Sequence, residues 1–337
     1  AFYYLNQSSI KGNNYASYIV GILYENGVGI IENFQKATEF YEKATDQGNS
    51  HGVNRLGFCY DKGYGVDINY AKAIEYYQRG IELEQPLSFL NLGDLYITGK
   101  GVKKNFNKGI ELYQKAIDLG FSEAYNHLNT IFKDGKEIKQ DDKKANQYLQ
   151  KAAGLGDPLA YYNLANNYLK EGSQQSINKS IELFKKSGDI GFSEGYNNIG
   201  VIYYDGKLVK KDLKKAIEYI QKAADRGSYL AMFMIGEFYF DGIIFEKDYI
   251  KANEYFSKSA DNGLNLSYFV LGSNYESGIG VTKDYIKAIY YYQKAGDKGY
   301  PLGYCAIGKL YDEGIGVKQD YIKSNEYYKK AADLGVA

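Results

Sequence analysis

The residues best suited to metal or thiol chemistry in this 337-residue sequence are two histidines, His51 and His127, and two cysteines, Cys59 and Cys305. They are scattered, and no His-x-x-His, Cys-x-x-Cys or Glu-x-x-His spacing exists to hold zinc or iron. The acidic pair Asp141-Asp142 could suggest a calcium loop, but the alternating oxygen donors and the closing Glu of such a loop are missing. Asp141 reads instead as a helix cap and Asp142 as solvated. Glycines are frequent, at 38 residues, yet none has the strand-then-helix context of a phosphate-cradling loop. The 38 tyrosines could stack nucleic-acid bases, but 41 basic residues balance 41 acidic ones, and stacking surfaces need excess cations to hold the phosphates. These residues therefore point to no catalytic site, no metal, no cofactor and no nucleic acid.

Their spacing is more informative than their chemistry. The sequence matches itself at a period of 36 residues, with units 13–48, 49–84, 85–120, 121–156, 157–191, 192–227, 228–263, 264–299 and 300–335. The fifth is one residue short. A small residue recurs as Gly21, Gly57, Gly93, Ala165, Gly200, Gly236, Gly272 and Gly308, followed three places on by an aromatic such as Tyr24, Tyr60, Tyr203 or Tyr275. That spacing marks one face of a helix. Glycine inside a helix costs roughly 1 kcal/mol against Ala, so its recurrence predicts close approach of a second helix.

The punctuation between helices repeats as well. Gly27, Gly63, Gly99, Gly135, Gly206, Gly242, Gly278 and Gly314 stand where a left-handed residue ends a helix. Asn33, Asn69, Asn105, Asp141, Asp212, Asp248, Asp284 and Asp320 stand where the next helix needs its N-cap. The second helix carries a small residue and then a ring pair such as Tyr76-Tyr77 or Tyr291-Tyr292, wide enough to reach its own hairpin and the next. Glu-to-Lys pairs four apart, such as Glu182/Lys186, Glu218/Lys222 and Glu254/Lys258, read as a solvated face, and Lys251 with them.

The pattern A-x-x-x-L-G-x-x-Y-x-x-G-x-G-V-x-x-D-Y-x-K-A-x-x-Y-Y-x-K-A-A-D-x-G resembles the Sel-one-like repeat (SLR) family, a relative of the tetratricopeptide repeat. The resemblance implies an all-α fold, an α/α solenoid forming a right-handed superhelix of about nine helix-turn-helix repeats. Residues 1–12 fit the second helix of a truncated repeat, and 336–337 the start of a further one, so the chain is expected to be a segment of a longer array. On this register Cys59 and Cys305 lie seven repeats apart, too far for a disulfide. Departures gather in the middle: Asn129 replaces the packing glycine, Glu137 replaces a loop glycine, and a loop residue is lost near Glu171-Gly172-Ser173. A change of superhelical pitch around residues 129–180 is expected there. Glu84 ends the second unit where the others have Gly.

The resemblance also implies that the first helices line a concave surface. One position facing it reads Tyr18, Asn54, Leu90, Asn126, Tyr162, Asn197, Phe233, Phe269 and Cys305, and another reads Glu25, Asp61, Ile97, Lys133, Leu169, Tyr204, Phe240, Glu276 and Asp312. Structural positions repeat in chemistry; these vary, as a binding groove would. Tyr162, Asn197, Tyr204, Phe233, Phe240 and Phe269 are the candidate partner-binding residues. Tyr204, Phe233, Phe240 and Phe269 would form an exposed aromatic patch, unless the neighbouring hairpin half-buries them. The expected function is a non-catalytic protein–protein interaction scaffold or adaptor that holds a peptide or another protein; the alternative is a structural subunit of a larger filament or assembly. No apolar run is long enough to span a membrane, and the sequons at Asn6, Asn178 and Asn265 are no more than this many asparagines would give by chance. The compartment stays open, with a lean towards the cytoplasm.

Overall fold

The computed structural model describes residues 2–134 and 140–335, and the expectations for Gly135, Glu137 and residues 336–337 lie outside them. Contacts divide the chain into two compact units, 1–157 and 158–337. Unit 1 contains α1 (Phe2–Ile10), α2 (Asn14–Asn26), α3 (Phe34–Asp46), α4 (Ser50–Lys62), α5 (Tyr70–Glu82), α6 (Pro86–Thr98), α7 (Phe106–Asp118), α8 (Ala124–Asp134) and α9 (Asp142–Gly154). Unit 2 contains α10 (Pro158–Glu171), α11 (Gln174–Asp189), α12 (Glu194–Asp205), α13 (Leu213–Asp225), α14 (Tyr229–Asp241), α15 (Tyr249–Asp261), α16 (Asn265–Ser277), α17 (Tyr285–Asp297), α18 (Leu302–Glu313) and α19 (Tyr321–Asp333). Among the described residues there is no strand. Each even-numbered helix pairs with the one after it as a hairpin, and within each unit each hairpin packs on the next.

The helix ends follow from local chemistry. The Asn33 side chain accepts from Lys36 N, and Asp212 accepts from Lys215 N, as does the equivalent residue of most hairpins, which satisfies a donor the helix cannot. Across the loop, the backbone N–H of the capping residue reaches back to the carbonyl of the first helix's aromatic, 2.8 Å for Asn33 to Tyr24 and 2.9 Å for Asp284 to Tyr275. That bond uses one of the carbonyls left over at the end of helix one and fixes the loop length. Gly27 and Gly278 occupy the left-handed region, at φ 64° and 76°, as a helix C-terminus of this type requires.

The recurring helix-one glycine is a seat for a ring. A Cβ on Gly21 would stand 2.5 Å from the Tyr41 ring, and one on Gly236 would stand 2.6 Å from that of Phe256. Gly57, Gly93, Gly272 and Gly308 face Tyr77, Tyr113, Tyr292 and Tyr328 in the same way, and Gly200 faces Ile220. The second ring of each helix-two pair thus fills the helix–helix groove, which explains a glycine where propensity argues against one. It also reaches the next hairpin, as Tyr41 does towards Arg55 and Tyr113 towards His127. The first ring stays on its own hairpin, with Tyr76 stacked 5.8 Å from Tyr60 and Tyr291 5.4 Å from Tyr275.

The departures are compensated locally. Opposite Asn129 the ring is replaced by the shorter Leu149, and both are buried. In the hairpin with the shortened loop, α10 and α11 lengthen to 14 and 16 residues and Ser173 takes over as cap, accepting from Ser176 N. Glu84 keeps the left-handed backbone of the glycines it replaces, at φ 52°, the single non-glycine with positive φ among the described residues.

Candidate protein-binding surface

The first-helix positions singled out in the sequence flank the seated ring. Tyr162 on α10 lies 5.4 Å from Phe184 and 5.0 Å from Phe192. Phe233 on α14 lies 5.2 Å from Phe256, and Phe269 on α16 lies 5.3 Å from Tyr292 and 5.4 Å from Tyr300. Seven residues further along the same helices, Tyr204 on α12 lies 5.1 Å from Phe238, and Phe240 on α14 lies 5.0 Å from Tyr249. Asn197 on α12 is buried, and its Oδ1 has no hydrogen-bond partner. Of the two expectations for the aromatic residues, partial burial holds: Tyr204, Phe233, Phe240 and Phe269 are all half-buried. Each spends part of its surface on a neighbouring ring.

The position that begins with Glu25 varies for a reason inside the hairpin. Where helix two presents a tyrosine, helix one carries a carboxylate: Tyr41 with Glu25, Tyr77 with Asp61, Tyr292 with Glu276, Tyr328 with Asp312. For Tyr113 the partner is Asp94, three residues earlier on the helix than the expected Ile97, at 2.5 Å. Where helix two presents Phe184, Ile220 or Phe256, helix one answers with Leu169, Tyr204 or Phe240. The Tyr41 hydroxyl donates to Glu25, and that of Tyr292 to Glu276 at 2.6 Å. Burial, and after it the adjacent carboxylate, pushes both tyrosines well above their ordinary pKa, so each hydroxyl stays a donor. This coupling was readable in the sequence as a spacing of 16 residues. It was missed because the position was compared along the repeats and never across the hairpin.

The lysines form a second unanticipated pattern. Lys72 stands 4.7 Å from the Tyr60 ring centre, Lys144 4.2 Å from Phe132, Lys215 5.0 Å from Tyr203 and Lys251 5.3 Å from Tyr239. Lys251 also lies 3.6 Å from Asp248. These side chains cover aromatic faces as well as facing solvent, which corrects the reading of Lys251 as a plain solvated charge. Of the Glu-to-Lys pairs, Glu182–Lys186 and Glu218–Lys222 close at 3.0 and 2.9 Å, while Lys258 sits 4.8 Å over Tyr255.

A depression of about 380 Å³ in unit 2, between α10 and α12, is lined by Leu169, Val201, Ile202 and Leu208 together with Asn198, Asp205 and Lys207. Among the described residues no group of His, Cys, Asp or Glu is placed to hold a metal ion, and no helix is long and apolar enough to cross a membrane.

An all-α array of helical hairpins with ring-seating glycines defines a helical-repeat protein. The Sel1 repeat matches it nine times, over residues 14–49, 50–84, 90–121, 123–157, 158–192, 193–228, 230–264, 266–300 and 301–336, and the chain belongs to that family. A Sel1 repeat protein from Oxalobacter formigenes has a similar solved structure, at 24% identity and a TM-score of 0.61, over 91% of this chain and 90% of that one. A protective antigen of uropathogenic Escherichia coli strains with an SLR fold is 26% identical over 98% of this chain and 79% of its own, with a TM-score of 0.43. Yeast Tom70 is matched over 100% of this chain and 88% of its own, at 13% identity and a TM-score of 0.49. No curated protein sequence matches the chain.

Proposed function

We propose that this protein is a non-catalytic scaffold that binds a peptide or protein segment on the first-helix face of its hairpins. The observation that carries the reading is the depression between α10 and α12. It includes Leu169 of the first-helix face, and its lining is mostly apolar, with Asp205 and Lys207 adding charges of both signs. An apolar side chain of a partner fits such a lining. Tyr204, on the same helix α12, is half-buried and has Lys211 5.1 Å from its ring. Asn197, Phe233, Phe240, Phe269 and Tyr162 then act chiefly as the packing that holds this face in shape.

The test uses Leu208→Glu and Val201→Glu, which place a charge in the depression without touching a seated ring. Wild type and variants are used to capture partners from the native source, with cross-linking to locate the contact. Loss of the same partner from both variants at unchanged helicity is expected. Undiminished capture by both folded variants overturns the placement.

A further inference from the structure

In unit 1 the helix-two tyrosines sit in three successive clusters that differ in one respect. In the first, Tyr41 donates to Glu25, and the guanidinium of Arg55, from the next hairpin, closes on the same carboxylate. In the third, Tyr113 and His127 both engage Asp94, His127 Nδ1 at 3.2 Å. His127 occupies the place in its hairpin that Arg55 occupies two hairpins earlier. Each of these clusters combines a tyrosine, a carboxylate and a nitrogen base supplied from the following hairpin.

The middle cluster has the tyrosine and the carboxylate but a different third member. The place of Arg55 is taken by Asn91, whose amide donates instead to Asn54 Oδ1 at 3.0 Å. Asp61 is one methylene shorter than Glu25. Its Oδ1 and the Tyr77 hydroxyl are both buried without a hydrogen-bond partner, although the Tyr77 side chain is 0% exposed. Burial, then the charges of Asp61 and Asp94, raises the Tyr77 pKa, so the hydroxyl stays protonated. Buried polar atoms without partners are rare and costly, and two of them belong to this one cluster. Of the surrounding groups, Asp94 is 42% exposed, and Lys62, which holds Asp61 Oδ2 at 2.7 Å, is likewise 42% exposed.

We propose that the face of unit 1 formed by α4 and α6 receives an arginine side chain of a partner protein, whose guanidinium pairs with Asp61 and Asp94 in the way Arg55 pairs with Glu25 one hairpin earlier. The inference rests on the scaffold reading and gives one partner group its chemistry. A planar guanidinium offers five donors in a fixed fork, which suits two carboxylates better than an ammonium does. Lys62, which holds Asp61 Oδ2 at 2.7 Å from the solvent side, is the group the guanidinium replaces there. The net charge of the chain is zero, so no general field draws polycations to it.

The probe is a fluorescein-labelled hexa-arginine peptide, read by anisotropy at physiological salt, with the uncharged hexa-citrulline peptide as control. Expected are binding of the arginine peptide alone, at least tenfold weakening by Asp61→Asn, and a few-fold tightening by Lys62→Ala. Asn91→Arg, which supplies the missing guanidinium from within the chain, is expected to abolish binding and to raise the unfolding midpoint. Equal binding of both peptides overturns the proposal, as does unchanged affinity in folded Asp61→Asn. If Asn91→Arg fails to fold, Asp61→Asn still decides. Failure here, with the native partner still captured through the α10–α12 depression, leaves the scaffold reading intact. A native partner that is not captured at all removes the scaffold reading itself.

Discussion

Replacing Tyr77 by Phe is expected to stabilise the protein, while the same change at Tyr41 is expected to destabilise it. The two rings occupy equivalent places, each fully buried against a glycine of its own hairpin. Their hydroxyls differ: that of Tyr41 donates to Glu25, and that of Tyr77 has no partner. Leaving a buried hydroxyl unpaired costs about 1–3 kcal/mol, so its removal, with the ring kept, should recover roughly 1 kcal/mol or more. At Tyr41 the change removes a hydrogen bond to a charged group, worth about 1.5–3 kcal/mol. Some of that is offset because Arg55 remains on Glu25, which is 14% exposed, and a net loss of about 1–2 kcal/mol follows. Urea unfolding followed by far-ultraviolet circular dichroism checks both signs. Whole curves are compared, because repeat arrays need not unfold in one step. Equal destabilisation by the two changes would mean that Tyr77 has a partner after all, and the argument from the shorter Asp61 side chain would fail.

Three further expectations concern single positions. Glu84→Gly should stabilise by about 0.5–1 kcal/mol, since a non-glycine at φ 52° costs about 1–2 kcal/mol and glycine gives back part of that in unfolded-state freedom; an unchanged urea midpoint would contradict it. Gly236→Ala should cost about 1–3 kcal/mol by pressing a methyl into the Phe256 ring, and combining it with Phe256→Leu, after the Asn129/Leu149 example, should cost less than the sum of the two; strict additivity in a double-mutant cycle refutes the seating. Burial raises the Glu194 pKa, against the lowering hydrogen bond from Ser228. The folded state therefore holds that proton to higher pH than the unfolded state, and this site's contribution to stability falls as pH rises through the raised value. Glu194→Gln should accordingly stabilise at pH 7 and lose its advantage towards pH 4, and a gain that grows on acidification would reverse the sign of the argument.

The fold was legible because its signals are local. Gly27 and Asn33 state where one helix ends and the next begins, and the Gly21–Tyr24 spacing states which face is packed, so period and pattern agree at every level. The surface was less legible because side chains there answer to a neighbour far along the chain. Glu25 and Phe240 look like free variation until Tyr41 and Phe256 are set beside them. The lysine near Tyr239 was hidden likewise, since a basic residue on a helix reads the same whether its face is water or a ring. Asp61 carried no signal of its own; its place became apparent only when Arg55, Asn91 and His127 could be compared in their clusters.

The matching of helix two to helix one within a hairpin limits how such an array can be rearranged. A whole hairpin carries its tyrosine and its carboxylate together, so duplication or loss of complete repeats preserves every pair. A crossover falling in the loop does not. Joining α2 to α13 would set Glu25 against Ile220 and leave the carboxylate beside a side chain that cannot donate; joining α12 to α3 would bury the Tyr41 hydroxyl against Tyr204 with no carboxylate to accept it. Each misjoined product would bury a polar group without its partner, at a cost comparable to that of one severe point mutation. The hairpin, and not the helix, is therefore the smallest piece of this chain that keeps each tyrosine with its carboxylate when it moves, while the contacts of Arg55 and His127, made from the following hairpin, are remade only if the neighbour moves with it.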